Sequence, residues 1–195
     1  MIEIKTDLTK VNFNKGTNKL NKFIVVHYTA NSGDTAAGNC NYFRDTNRNA
    51  SANYFVDKDG AYLCVYPWDV AWHCGKDFSK GKAPFWNVCT NANSIGIEMC
   101  DSLERNEAVE SNTIELIINL MLEYNIPIYN VIRHYDVCGK ECPKSLIDDK
   151  AWADFKYELA RAFVKRKGNF DEECTMKYLD KHPYPMSLYE KLCNF

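Results

Sequence analysis

Residues 22–30 read KFIVVHYTA, an apolar run, FIVV, followed at once by a histidine. The run is rich in β-branched and aromatic residues that succeed one another without alternating, the pattern of a strand covered on both faces. A central strand is expected here, with His27 at its C-terminal end. A second strand signal, SIGIEMCD (94–101), does alternate. Ile95, Ile97 and Met99 share one face, so Glu98 projects from the other together with Gly96 and Ser94. Between the two, SANYFVD (51–57) and AYLCVYP (61–67) flank Lys58-Asp59-Gly60, whose Asp-Gly pair tolerates the backbone of a tight turn; this is a β-hairpin.

Helix signals separate these strands. Asp34 is placed to N-cap TAAGNCNYFRDTN (35–47), in which Ala36, Cys40 and Phe43 recur at helical spacing. Ser111 opens a stretch with apolar residues at 114, 117, 118, 121 and 122, the stripe of an amphipathic helix, and Pro127 ends it. A short strand, YNVIRH (129–134), follows, and residues 149–165 carry Trp152, Phe155, Leu159 and Phe163 on one side of a last helix. From Trp68 to Asn93 periodicity fades into a long loop, and loops of that length are commonly functional. Its tryptophans, 72 and 86, argue that it is ordered.

Length and composition exclude several classes. The 195 residues suit one core. Lys plus Arg number 24 against 26 Asp plus Glu, so no excess positive charge is available to neutralise phosphates, and a nucleic-acid partner is not expected. The apolar runs are too short to span a bilayer, so no membrane insertion is expected. The start, MIEIKTDLTK, has no basic region, apolar region or cleavage site of a secretory signal; synthesis in the cytoplasm is expected. The nine cysteines are odd in number and come without a signal, so no disulfide framework is expected, and each reads first as a small buried hydrophobe.

Four histidines are present, at 27, 73, 134 and 182. His27 and His134 end predicted strands, where catalytic residues collect in sheet enzymes. A lone histidine beside an apolar strand is ordinarily structural, but two in like positions favour a shared site. His134 opens HYDVCGKECP, which adds Cys138 and Cys142 on a glycine-containing loop. Two histidines and one thiol match a catalytic zinc, which takes three protein ligands and keeps a fourth position for water. Spacing does not choose between Cys138 and Cys142. His182, in the KHPYP tail, reads as a surface residue.

HYTA after a short apolar strand, SANYFVDKDG, AWHCG, NSIGIE and H-x5-K-x-C-P occur in that order. Together they resemble the type 2 N-acetylmuramoyl-L-alanine amidases, the zinc enzymes of phage endolysins and bacterial autolysins related to peptidoglycan recognition proteins. The resemblance covers roughly residues 20–165. It implies His27, His134 and Cys142 as zinc ligands, Glu98 as the acid/base group, Lys140 as the oxyanion stabiliser, and His73 of AWHCG at the border of the substrate groove. Taken alone, Glu98 and Lys140 would pass for a solvated strand glutamate and an exposed loop lysine. Many relatives carry His before Tyr or an apolar residue in the hairpin strand where this chain has Asn53-Tyr54, so the groove wall is expected to differ.

The expected fold is α/β, a single domain with a mixed sheet of about five or six strands flanked by helices. Residues 1–166 are expected to form the catalytic domain and 167–195 a tail or linker. The expected reaction is hydrolysis of peptidoglycan between N-acetylmuramic acid and L-alanine, after release of the protein from the cytoplasm to the wall. Two rivals are a catalytically silent peptidoglycan-binding module and a metal-free Cys–His peptidase.

Overall fold

The structure, a computed structural model, describes residues 2–16 and 19–168. His182 and the rest of the 169–195 tail lie outside the described residues. Two compact units are distinguished, Met1–Ile147 and Asp148 onward.

The first unit holds a six-stranded mixed sheet, as the alternation of strand and helix signals implied. In chain order its strands are β1 (Ile4–Thr6), β3 (Phe23–Tyr28), β4 (Tyr54–Asp57), β5 (Gly60–Leu63), β7 (Ser94–Met99) and β8 (Val131–Arg133), arranged β1-β5-β4-β7-β3-β8. A separate antiparallel pair joins β2 (Phe13–Asn14) to β6 (Val70–Ala71). The FIVV strand, β3, pairs in parallel with β7 on one side and β8 on the other, and Phe23 through Val26 are buried. Its double coverage is what the unbroken apolar run encoded. The β4–β5 hairpin turns through Lys58 and Asp59, and Gly60 takes φ +146°, a conformation open to glycine.

Two helices cover opposite faces of the sheet. α1 (Ala36–Arg44) packs on β4 and β5 through Ala36 and Cys40, which cluster with Ala52, Phe55, Cys64 and Cys100. α2 (Glu107–Tyr124) packs on β4, β5 and β7, with Tyr124 felt by Tyr54. Phe55 and Tyr54 are strand neighbours, so the helices they meet lie on different faces. The Phe55 face also carries Glu98, its partner on β7, and His27, the partner of Glu98 on β3. The site therefore stands on the α1 face, and the apolar residues Ile24, Val26, Ile95, Ile97 and Met99 fill the other.

Several local expectations are corrected. Thr35, not Asp34, caps α1 by accepting from the Gly38 N–H, while Asp34 accepts from the Asp101 N–H and from Asn39. α2 starts a turn before Ser111, at Glu107 behind an Asn106 cap, because Glu110 is tied to Arg105 by paired hydrogen bonds. It ends at Asn125, which adopts the left-handed region, two residues before Pro127. Cys40 and Cys64 form a disulfide, so for this pair the reduced reading fails. The reason is tertiary: α1 lies on the hairpin and brings their Cα atoms to 5.7 Å, within bridging range.

The second unit contains α4 (Asp149–Gly168), in which Trp152 and Phe155 stack and Phe155, Leu159 and Phe163 are buried, the stripe read from the sequence. No helix among the described residues is long and apolar enough to cross a membrane.

Candidate active site

His27 is the fifth residue of β3 and His134 the first of α3 (His134–Cys138), directly after β8. Adjacent parallel strands thus deliver both rings to one end of the sheet, with centroids 4.4 Å apart. The chain then doubles back through Gly139, which takes φ +78°, and returns Cys142 beneath them. Arg133 fastens this return: its guanidinium engages the Asp136 carboxylate and donates to the carbonyls of Leu146 and Ile147. Tyr135 N–H donates to the Cys142 carbonyl at 2.9 Å, and the Tyr28 N–H donates to the Cys142 sulfur. Arg133 was not singled out in the sequence, although it directly precedes His134.

One donor atom each from His27, His134 and Cys142 lies within 4.8 Å of the others. The three residues are 2, 4 and 1 % exposed. Cys142 Sγ is 3.9 Å from His27 Nδ1, and Glu98 Oε1 is 4.0 Å from the same nitrogen. Both ring nitrogens of His134 and Glu98 Oε2 are buried with no hydrogen-bond partner among the described residues. Buried polar atoms are nearly always satisfied, so nitrogens left bare in a cluster with a thiol fit a metal cation. Cys138 is also buried but stands outside the cluster, its carbonyl accepting from the Phe78 and Ser79 N–H groups.

The electrostatics suit a cation. Burial, helped by His134, His73 and Lys140, holds the His27 imidazole well below its ordinary value. Burial pushes His134 down to about 4, against an opposing contribution from Cys74. Both rings are therefore neutral at pH 7 and free to donate lone pairs. The Cys142 thiol is pushed up by burial and by Glu98 in the metal-free protein, a preference that a bound cation reverses. Glu98, 21 % exposed at its side chain, is raised by burial to about 7, with Lys140 opposing the rise. Lys140 itself is exposed at the loop, and its charge also reaches His27, His134 and Cys142.

His73, expected to border the groove, stands behind the cluster. It is 7 % exposed, with Nδ1 3.0 Å from His27 Nε2 and Nε2 3.2 Å from Ser94 Oγ. Its ring rests on Gly96, where a Cβ would come within 2.6 Å of the ring carbon Cγ. Ser94, Gly96 and Glu98 share a face of β7 by simple alternation: one bonds His73, one makes room for it, and one faces His27. Gly96→Ala is accordingly expected to cost about 1–3 kcal/mol, the usual penalty for overpacking. Denaturant unfolding of the metal-free protein measures this, and an unchanged midpoint would mean that His73 slides aside freely. Cys74, next in sequence, lies 3.4 Å from His73 Nδ1 and accepts from Cys89, which pushes the Cys74 thiol down and the Cys89 thiol up.

Asn53 is a framework residue. It is fully buried, its amide donates to the carbonyls of Val65 and Tyr66, and its oxygen accepts from the Gly96 N–H at 2.9 Å. It thus ties β7 to β4 and to the chain leaving β5.

Comparison with known proteins identifies the family of the chain. A family model described as N-acetylmuramoyl-L-alanine amidase matches residues 17–145. The chain is 33% identical over 162 residues to N-acetylmuramoyl-L-alanine amidase CwlL of Bacillus licheniformis, covering 77% of this chain and 44% of that protein. It is 36% identical over 149 residues to the amidase BlyA of Bacillus subtilis, covering 69% and 40%. The chain thus spans less than half the length of these relatives. Among solved structures, the catalytic domain of XlyA superposes with a TM-score of 0.68 at 31% identity, covering 81% of this chain and 99% of that one. The structure of PlyL gives 0.68 at 30% identity, covering 81% and 97%.

Proposed function

The chain belongs to the N-acetylmuramoyl-L-alanine amidase family, and from that membership and the buried His27–His134–Cys142 cluster we propose that it is a zinc-dependent peptidoglycan amidase. The bond cut is the amide between the lactyl group of N-acetylmuramic acid and the L-alanine of the stem peptide. The observation that carries the reading is the cluster itself, three buried donors within 4.8 Å beside a carboxyl whose acidity is weakened to about 7.

His27, His134 and Cys142 would hold the zinc, which supplies Lewis acidity toward the scissile carbonyl and the attacking water. Glu98 faces His27 from the neighbouring strand and takes a proton from that water as its oxygen bonds to the carbonyl carbon. A carboxyl poised near neutrality can give the same proton to the departing amine when the C–N bond breaks. Lys140 offers positive charge toward the oxyanion. At net −2 the protein gains no long-range attraction to an anionic wall, so recognition is short-range. Residues 1–166 serve as the catalytic domain, and the protein acts on the wall after release.

Digestion of purified peptidoglycan followed by mass spectrometry tests this. Expected products are stem peptides with a free L-alanine amine and glycan strands with a free lactyl carboxylate, formed by the zinc-loaded protein and abolished by chelation. Binding to the wall without these products would make the chain a silent binding module. Cleavage that survives chelation would point to the metal-free Cys–His reading.

A further inference from the structure

A chain of hydrogen bonds runs from the backbone to the metal-facing side of His27, and its proton positions follow from donor and acceptor counting. Ser94 Oγ lies 2.6 Å from the Thr90 carbonyl oxygen, which can only accept, so the serine donates its one proton there. The same oxygen lies 3.2 Å from His73 Nε2 and has no proton left to give, so His73 Nε2 carries the hydrogen. A neutral imidazole has one N–H, and Nδ1 of His73 is therefore an acceptor. His27 Nε2, 3.0 Å away, must then be the donor, and its remaining nitrogen, Nδ1, is bare. That is the nitrogen lying 3.9 Å from Cys142 Sγ.

We propose that Ser94 and His73 are positioning residues whose hydrogen-bond chain from the Thr90 carbonyl fixes the tautomer of His27, so that Nδ1 presents its lone pair to the metal. The inference rests on the reading of His27 as a ligand, and it explains features that reading leaves unused. Ser94 is fully buried at the start of β7, where a hydroxyl facing the sheet needs partners. Asn91 accepts from the N–H groups of both His73 and Cys74, holding the segment that carries the ring, and Gly96 leaves the ring its space. The competing proton arrangement puts a hydrogen on His73 Nδ1. It would then donate to His27 Nε2, force the His27 proton onto Nδ1, and block that nitrogen as a ligand.

The test is nitrogen NMR of the histidine side chains in the intact, metal-free protein, combined with zinc affinity measured by competition with a chromogenic chelator. In the wild type, His27 and His73 are both expected to carry their proton on Nε2. Ser94→Ala is expected to mix the His73 tautomers and to weaken zinc about 10- to 100-fold, the usual worth of a group that orients a metal ligand. His73→Leu should do the same, whereas His73→Asn, whose side-chain oxygen can accept from His27, should recover much of the affinity. A wild-type spectrum with His27 protonated on Nδ1, or with His73 protonated on Nδ1 or on both nitrogens, overturns the proposal without any variant. A folded Ser94→Ala that changes neither tautomers nor affinity overturns it too. If the expected tautomers are found but zinc binding does not depend on Cys142, the ligand reading fails while the hydrogen-bond chain stands.

Discussion

Glu98→Gln is expected to keep its fold and its zinc and to cleave peptidoglycan roughly 10²–10⁴ times more slowly, the range lost when a positioned acid/base group is removed. The substitution is nearly isosteric, and the side chain stays on β7 opposite His27. What it removes is a titratable oxygen. Burial has brought the Glu98 carboxyl to about 7, so near neutral pH both of its protonation states are populated and the same group can accept a proton and return it. A glutamine can do neither. Comparison of turnover and metal content for the two proteins is decisive: full activity in the variant would leave Glu98 as a half-buried strand residue, and the proton would have to travel by another group or by bulk water. Loss of zinc together with activity would instead mean that Glu98 supports the cluster.

The cysteine pair gives an equally large contrast. Cys142→Ser is expected to lose most of its zinc and with it the activity, whereas Cys138→Ser keeps both. A serine hydroxyl is a far poorer donor to zinc than a thiolate, and Cys142 Sγ stands beside His27 in the three-residue cluster. Cys138 belongs to the last turn of α3, where its carbonyl anchors Phe78 and Ser79 and its thiol is raised by burial. Metal analysis of the two purified variants reads the difference directly. The reverse result would make Cys138 the ligand and would require the 139–142 segment to adopt another path.

The sequence by itself determined where the strands run and which of their residues face together. A short unbroken apolar run rich in β-branched residues reads as a doubly covered strand, and β3 is one; the alternation in SIGIEM set Ser94, Gly96 and Glu98 on a common face before any partner was known. It also placed His27 and His134 at strand ends and located the hairpin turn between Asp57 and Gly60, because period-two patterning and turn chemistry are local properties. The ordered motifs supplied the family. Helix starts were less legible: Thr35 and Asn106 cap where the pattern pointed to Asp34 and Ser111, since Asp34 is drawn off to the Asp101 backbone and Glu110 to Arg105.

Only the tertiary structure decided what meets across the sheet. Spacing left Cys138 and Cys142 equivalent, and their difference comes from the left-handed turn at Gly139 and the Arg133 clamp, which carry Cys142 back under the histidines. The Cys40–Cys64 bridge depends on α1 lying over the hairpin. Likewise His73 is 46 residues from His27 in sequence, and no pattern in either segment states that one ring donates to the other. Periodicity fixes the face on which a side chain stands, but a hydrogen bond depends on distances of about 3 Å, and those are set only when strands, loops and helices have packed.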